Sequence, residues 1–80
     1  MKTFTLQYFS LLRDEAGKDK EEITSSASNA QELYQEMRQL YNFSQDGSTY
    51  RVAINDEFVA WDTILNDGDN VVFIPPVAGG

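Results

Sequence analysis

Apolar and polar residues alternate at the start of the chain. Phe4, Leu6 and Tyr8 fall on one side and Thr3, Thr5 and Gln7 on the other, which predicts a strand over Lys2–Phe9 with one buried face. A short helix, Leu11–Ala16, follows, with Ser10 as its cap and Gly17 as the left-handed residue that ends it. Leu11 and Leu12 are expected to tuck under the domain. Lys18-Asp19-Lys20 reads as a polar turn and Glu21–Thr24 as a short strand. From Ala30 to Tyr41 the period changes to that of a helix. Ala30, Leu33, Met37, Leu40 and Tyr41 line the apolar stripe, so truncating Leu33 or Leu40 is expected to cost about 2–5 kcal/mol. Asn29 with Glu32 makes a capping box, and Ser28 with Gln31 is nearly as good.

The second half of the chain reads as strands. Tyr50–Ile54 and Phe58–Trp61 flank an Asn55-Asp56 turn; Asp62–Leu65 predicts a short helical turn and Asn66–Asp69 a tight turn. Asn70–Ile74 is apolar on both faces, as a central strand is. The layered solution is an α+β roll, with one long helix across a mixed sheet of four to five strands. Pairing the first and last strands in parallel puts them at the sheet centre and leaves one sheet face for a partner. A domain over 1–74 and a flexible tail over 75–80 are expected, the tail stiffened by Pro75-Pro76 and ending in Gly79-Gly80.

Composition narrows the chemistry. The 80 residues contain no Cys and no His, which removes thiol nucleophiles, disulfides and the commonest general base and metal ligand. A self-contained enzyme and a resident metal site are therefore not expected. Glu21-Glu22 and Asp56-Glu57 do not converge as an acid–base pair, and Asn66-Asp67-Gly68-Asp69 lacks the later ligands of a calcium loop. The net charge of −7 argues against nucleic acid and for solubility, with steering toward basic partners as a functional addition. The longest apolar run, Val71–Ile74, is too short to span a bilayer, and no secretory-like segment follows Met1-Lys2, so a cytoplasmic protein with no membrane partner is expected. Some of Phe58, Trp61, Phe73 and Ile74 must be core, whereas those on an uncovered face would form an interface patch. Phe58, at the hairpin tip, and Ile74, at the root of the tail, are the candidates.

Val52-Ala53-Ile54-Asn55, Asp62, Leu65-Asn66-Asp67-Gly68-Asp69 and Val72-Phe73-Ile74-Pro75-Pro76-Val77-Ala78-Gly79-Gly80 together resemble the small subunit of molybdopterin synthase, one of the ubiquitin-like sulfur carriers. Tyr8–Gly17 resembles that family's first strand and short helix, so the resemblance covers essentially the whole chain. It implies a β-grasp, ubiquitin-like fold. It also implies that Gly80 carries the chemistry. An activating enzyme consumes ATP to adenylate its carboxylate, a sulfur donor converts the adenylate to a thiocarboxylate, and the sulfur passes to a cyclic pyranopterin phosphate in molybdenum cofactor biosynthesis. Pro75, Pro76, Val77, Ala78 and Gly79 form the part that inserts into the large subunit, with two copies of each subunit in the complex. Phe58 and Ile74 fall on the family's apolar contact surface, and Arg13 falls at a basic position suited to an inter-subunit ion pair. The chain is then non-catalytic alone and holds no permanent cofactor. Two alternatives stay open: a carrier for thiamine or a similar synthesis, and a ubiquitin-like protein modifier.

Overall fold

A computed structural model describes residues 1–75. Its elements in chain order are β1 (Lys2–Tyr8), α1 (Ser10–Ala16), β2 (Lys20–Ser25), α2 (Ala30–Tyr41), a single 3-10 turn (Gly47–Thr49), β3 (Arg51–Ile54), β4 (Glu57–Val59) and β5 (Asn70–Ile74). The five strands form one sheet in the order β2-β1-β5-β3-β4. Only the central β1–β5 pair is parallel, with Leu6 opposite Val71 and Tyr8 opposite Phe73. The architecture is the β-grasp roll expected from the chain's patterning and its family resemblance.

Alternation along β1 is realised as read: Phe4, Leu6 and Tyr8 are fully buried beneath α2. From β5 the same layer receives Val71 and Phe73, and from β3 it receives Val52 and Ile54. Tyr34 stands at the middle of the aromatic core. Its ring packs edge-on against Phe73 at 5.1 Å and contacts Phe43, Tyr50 and Trp61, while its hydroxyl donates to the Gln45 carbonyl at 2.7 Å. That bond lets a phenol be buried without leaving a polar atom unpaired.

Helix α2 starts at Asn29, whose side-chain oxygen accepts from the Glu32 amide at 2.8 Å. The Glu32 carboxylate reaches back to the Ser28 amide, one residue earlier than in the usual capping box. Its next two amides are satisfied from far along the chain. Ala30 donates to the Thr63 carbonyl and Gln31 to the Trp61 carbonyl. The segment after β4 therefore stays in turns and an isolated bridge, Asn29 to Ile64, and the helical turn expected over Asp62–Leu65 does not form. Its carbonyls are used to cap another helix.

Other expectations are corrected by packing. Leu40 is 62% exposed. It lies at the margin of the apolar stripe in the last turn, where the inward positions belong to Met37 and Tyr41, and the stripe includes Tyr34 instead. Leu11 is also exposed, because a seven-residue helix buries one narrow face and Leu12 and Ala16 occupy it. Ser10 does not cap α1. It is the first helical residue with φ +50°, and the Phe9 carbonyl takes the first helical amides. Strand β2 is longer than expected and pairs with β1 from Lys20 to Ser25. Strand β4 stops at Val59, and Trp61 turns under the sheet to stack on Phe73 at 5.8 Å. Among the described residues no helix is long and apolar enough to cross a membrane.

Candidate docking face

Helix α2 covers one face of the sheet, and the other face is left open. Strand register decides which side chains stand on it. Gln7, Val72, Ala53 and Phe58 follow one another across β1, β5, β3 and β4, and the next row pairs Ile74 with Arg51. With Phe9 just beyond β1, these residues form a shallow groove lined by Gln7, Phe9, Ala53, Asp56, Phe58, Val72 and Ile74. Its floor is apolar, and Phe58 and Phe9 remain 54% and 39% exposed. Exposed apolar side chains gathered on one face are the kind of surface that a protein partner covers.

Two turns hold the groove in shape. The β3–β4 hairpin turns through Asn55 and Asp56 at φ 52° and 71°, the left-handed pair of a type I′ turn. The Asn55 amide group donates to Asp69 at 2.9 Å, and its side-chain oxygen accepts from the Asn70 amide at 3.0 Å. Asp69 in turn accepts from the Asn66 amide at 2.8 Å, within the turn that Gly68 closes at φ 88°. The hairpin carrying Phe58 is thereby tied to the start of β5, the strand carrying Val72 and Ile74.

The sequence candidates are distributed unevenly. Phe58 and Ile74 share the groove, although Phe58 is the middle residue of β4 and the hairpin tip is Asn55-Asp56. Ile74 is the last residue of β5, so the wall of the groove runs directly into Pro75. Arg13 is exposed on α1, does not line the groove, and makes no salt bridge among the described residues. Pro76, Val77, Ala78, Gly79 and Gly80 lie outside the described residues. Sequence reading missed Phe9, Ala53, Val72 and Arg51. The available signal was the doubly apolar β5: Val72 and Ile74 alternate with the buried Val71 and Phe73, so they must face the other side.

A group of ionisable side chains shifted from their ordinary values lies elsewhere, where β1, β2 and the end of α2 meet. The hydroxyls of Tyr8 and Tyr41 donate to the Glu21 carboxylate, and Lys18 approaches it at 3.5 Å. Burial pushes Glu21 up, but the two phenol bonds and the Lys18 ammonium together outweigh it and hold the carboxyl below its usual range. Burial, reinforced by Glu21, pushes the Tyr8 phenol well up. This cluster closes the core by satisfying buried phenols. Among the described residues no group of three or more metal-ligating side chains gathers. The groove itself offers apolar area, one amide and one carboxylate, which suits recognition of a protein surface.

Comparison with known proteins agrees with this geometry. A model of the ThiS family matches residues 6–80. The molybdopterin synthase sulfur carrier subunit of Escherichia coli (strain K12) is 30% identical over 76 residues, covering 91% of this chain and 94% of the relative. A solved Pyrococcus furiosus chain described as a molybdopterin converting factor subunit 1 superposes with a TM-score of 0.81 at 30% identity, covering 96% of this chain and all of the other. A complex of subunits 1 and 2 of the molybdopterin-converting factor from Helicobacter pylori contains a chain alike in fold, with a TM-score of 0.69 at 23% identity, covering 98% of this chain and 99% of that one.

Proposed function

Because the chain belongs to the ThiS family, we propose that it is the sulfur-carrier subunit of a molybdopterin synthase, with Gly80 as the carrier residue. Its carboxylate oxygen attacks the α-phosphorus of ATP on an activating enzyme and displaces pyrophosphate. The acyl adenylate that results has AMP as a good leaving group. A donor delivering sulfur at the sulfide level attacks the carbonyl carbon, AMP departs, and Gly80 ends as a thiocarboxylate whose sulfur is nucleophilic. Delivered to the large subunit, that sulfur attacks a carbon of the cyclic pyranopterin phosphate precursor and displaces an oxygen leaving group; water then cleaves the Gly80 acyl–sulfur bond, leaving sulfur on the pterin and restoring the carboxylate. The partners supply the catalytic groups, which suits a chain without Cys or His. A terminal residue without Cβ leaves room around the reacting carbonyl for nucleotide, donor or pterin in turn.

The observation that carries this reading is the coincidence of docking surface and chain exit. Ile74 belongs to the groove and is also the last residue of the central strand, so a partner seated on Phe58 and Ile74 is positioned where the chain leaves the sheet. Docking there turns delivery of Gly80 into an intramolecular event over a span of about 20 Å at most for six residues. Coexpression with the activating enzyme and its sulfur donor, followed by intact mass measurement, tests the proposal. Sulfur in place of one oxygen at Gly80 is expected. An unmodified mass, or sulfur transfer to the pterin that survives deletion of Gly80, refutes it.

A further inference from the structure

The rim of the groove carries a charged element that neither the apolar floor nor the chain terminus requires. Arg51 opens β3 opposite Ile74. Its guanidinium carbon lies over the Phe58 ring, 3.9 Å from the centroid, a close cation–π contact. Arg51 is exposed and makes no salt bridge among the described residues. In a chain with thirteen acidic side chains against six basic ones, this cation is held on an aromatic ring and not on a carboxylate.

That contact has a chemical consequence. A guanidinium held over a ring face is attracted by the ring's negative potential and still has its N–H donors to offer an acceptor that approaches the groove. A planar fork held in this way matches a carboxylate through two parallel hydrogen bonds, and less side-chain entropy is lost on binding because the ring has already restricted the arm. The same ring offers its exposed part to an apolar side chain. One partner surface can thus engage both halves of the pair.

We propose that Arg51 is a specificity-determining residue of the docking face. An Asp or Glu of the large synthase subunit seats on its guanidinium while an adjacent apolar side chain of that subunit fills the groove between Phe58 and Ile74. The inference rests on the sulfur-carrier reading and deepens it. It assigns a carboxylate beside an apolar residue to the partner, and it distinguishes Arg51, which lies over the groove residue Phe58 and opposite Ile74, from Arg13 on α1.

The test compares the wild-type chain, Arg51→Leu and Arg51→Lys by calorimetric binding to the purified large subunit of the same organism, at low and high salt. Arg51→Leu keeps apolar cover over Phe58 and removes the donors; circular dichroism checks that it folds. It is expected to weaken binding at least about tenfold and to flatten the salt dependence. Arg51→Lys, which keeps the charge without the planar fork, is expected to fall between. Equal or tighter binding by Arg51→Leu overturns the inference and leaves the sulfur-carrier reading standing. Failure of the wild-type chain to bind the large subunit overturns both, and the mass measurement on Gly80 then shows independently whether carrier chemistry occurs.

Discussion

Truncating Phe58 to alanine separates docking from folding, because its ring serves the two unequally. An aromatic side chain buries roughly 150–250 Å² when fully enclosed. Phe58 is 54% exposed in the free chain, so on the order of 100 Å² remains for a partner to cover. At about 25 cal/mol per Å² that area corresponds to ~2.5 kcal/mol, or about 70-fold in Kd. A truncation cost of this size is common at the centre of an interface. Folding loses much less: Phe58 stands on the uncovered face against Ala53 and under Arg51, outside the core layer. Surface truncations of this kind cost within about 1 kcal/mol, a Tm shift of no more than about 8 °C for a domain this small. Calorimetric binding to the large subunit and thermal unfolding by circular dichroism measure the two effects on one preparation. The reasoning fails if Phe58→Ala lowers Tm by 15 °C or so while the folded fraction binds normally, since the ring would then belong to the core.

The helix correction gives a paired expectation. Leu33→Ala removes a fully buried side chain and should cost about 2–5 kcal/mol in urea unfolding, whereas Leu40→Ala, 62% exposed, should stay within about 0.5 kcal/mol of the parent. Equal losses would contradict the packing of α2. The Glu21 cluster predicts the acid limb of stability. Its folded pKa is depressed below the ordinary 4.5, so its contribution is complete above that value and is lost as pH falls through the folded pKa; Glu21→Gln should flatten this slope. The alkaline limb has the opposite sign. Burial raises Tyr34 from 10.0 to about 12, and Tyr8 is raised further, so stability present below pH 10 should decline as pH rises beyond it. Denaturant midpoints across both ranges check these slopes, and a flat alkaline limb would count against buried phenols.

Local chemistry was legible before any coordinates. Period-two alternation identified β1 and its inward residues Phe4, Leu6 and Tyr8, because a strand with one wet face leaves no other register. Asn29 announced the start of α2 and Gly17 the end of α1, since caps depend on side chains within a few residues. Asn55-Asp56 marked a hairpin because both residues tolerate the left-handed region. The doubly apolar β5 identified the central strand, and Phe58 and Ile74 followed as interface candidates because a single covering helix leaves one sheet face open. Each of these signals spans only a few positions.

Tertiary structure decided what depends on residues far apart in the chain. Nothing near Asp62–Leu65 says that the Trp61 and Thr63 carbonyls will cap α2, some thirty residues upstream, and a plausible short helix was lost to that demand. The position of Leu40 relative to the sheet, not its hydrophobicity, left it in solvent. Arg51 came to border the groove only when β3 paired with both β4 and β5, which brought its guanidinium over Phe58 and its backbone opposite Ile74. By itself the sequence determined the succession of strands along the chain, the caps at Asn29 and Gly17 and the inward residues of β1. The fold decided which of the remaining apolar residues share an uncovered face, because that choice belongs to strand order and register, and these are set by contacts no local window contains.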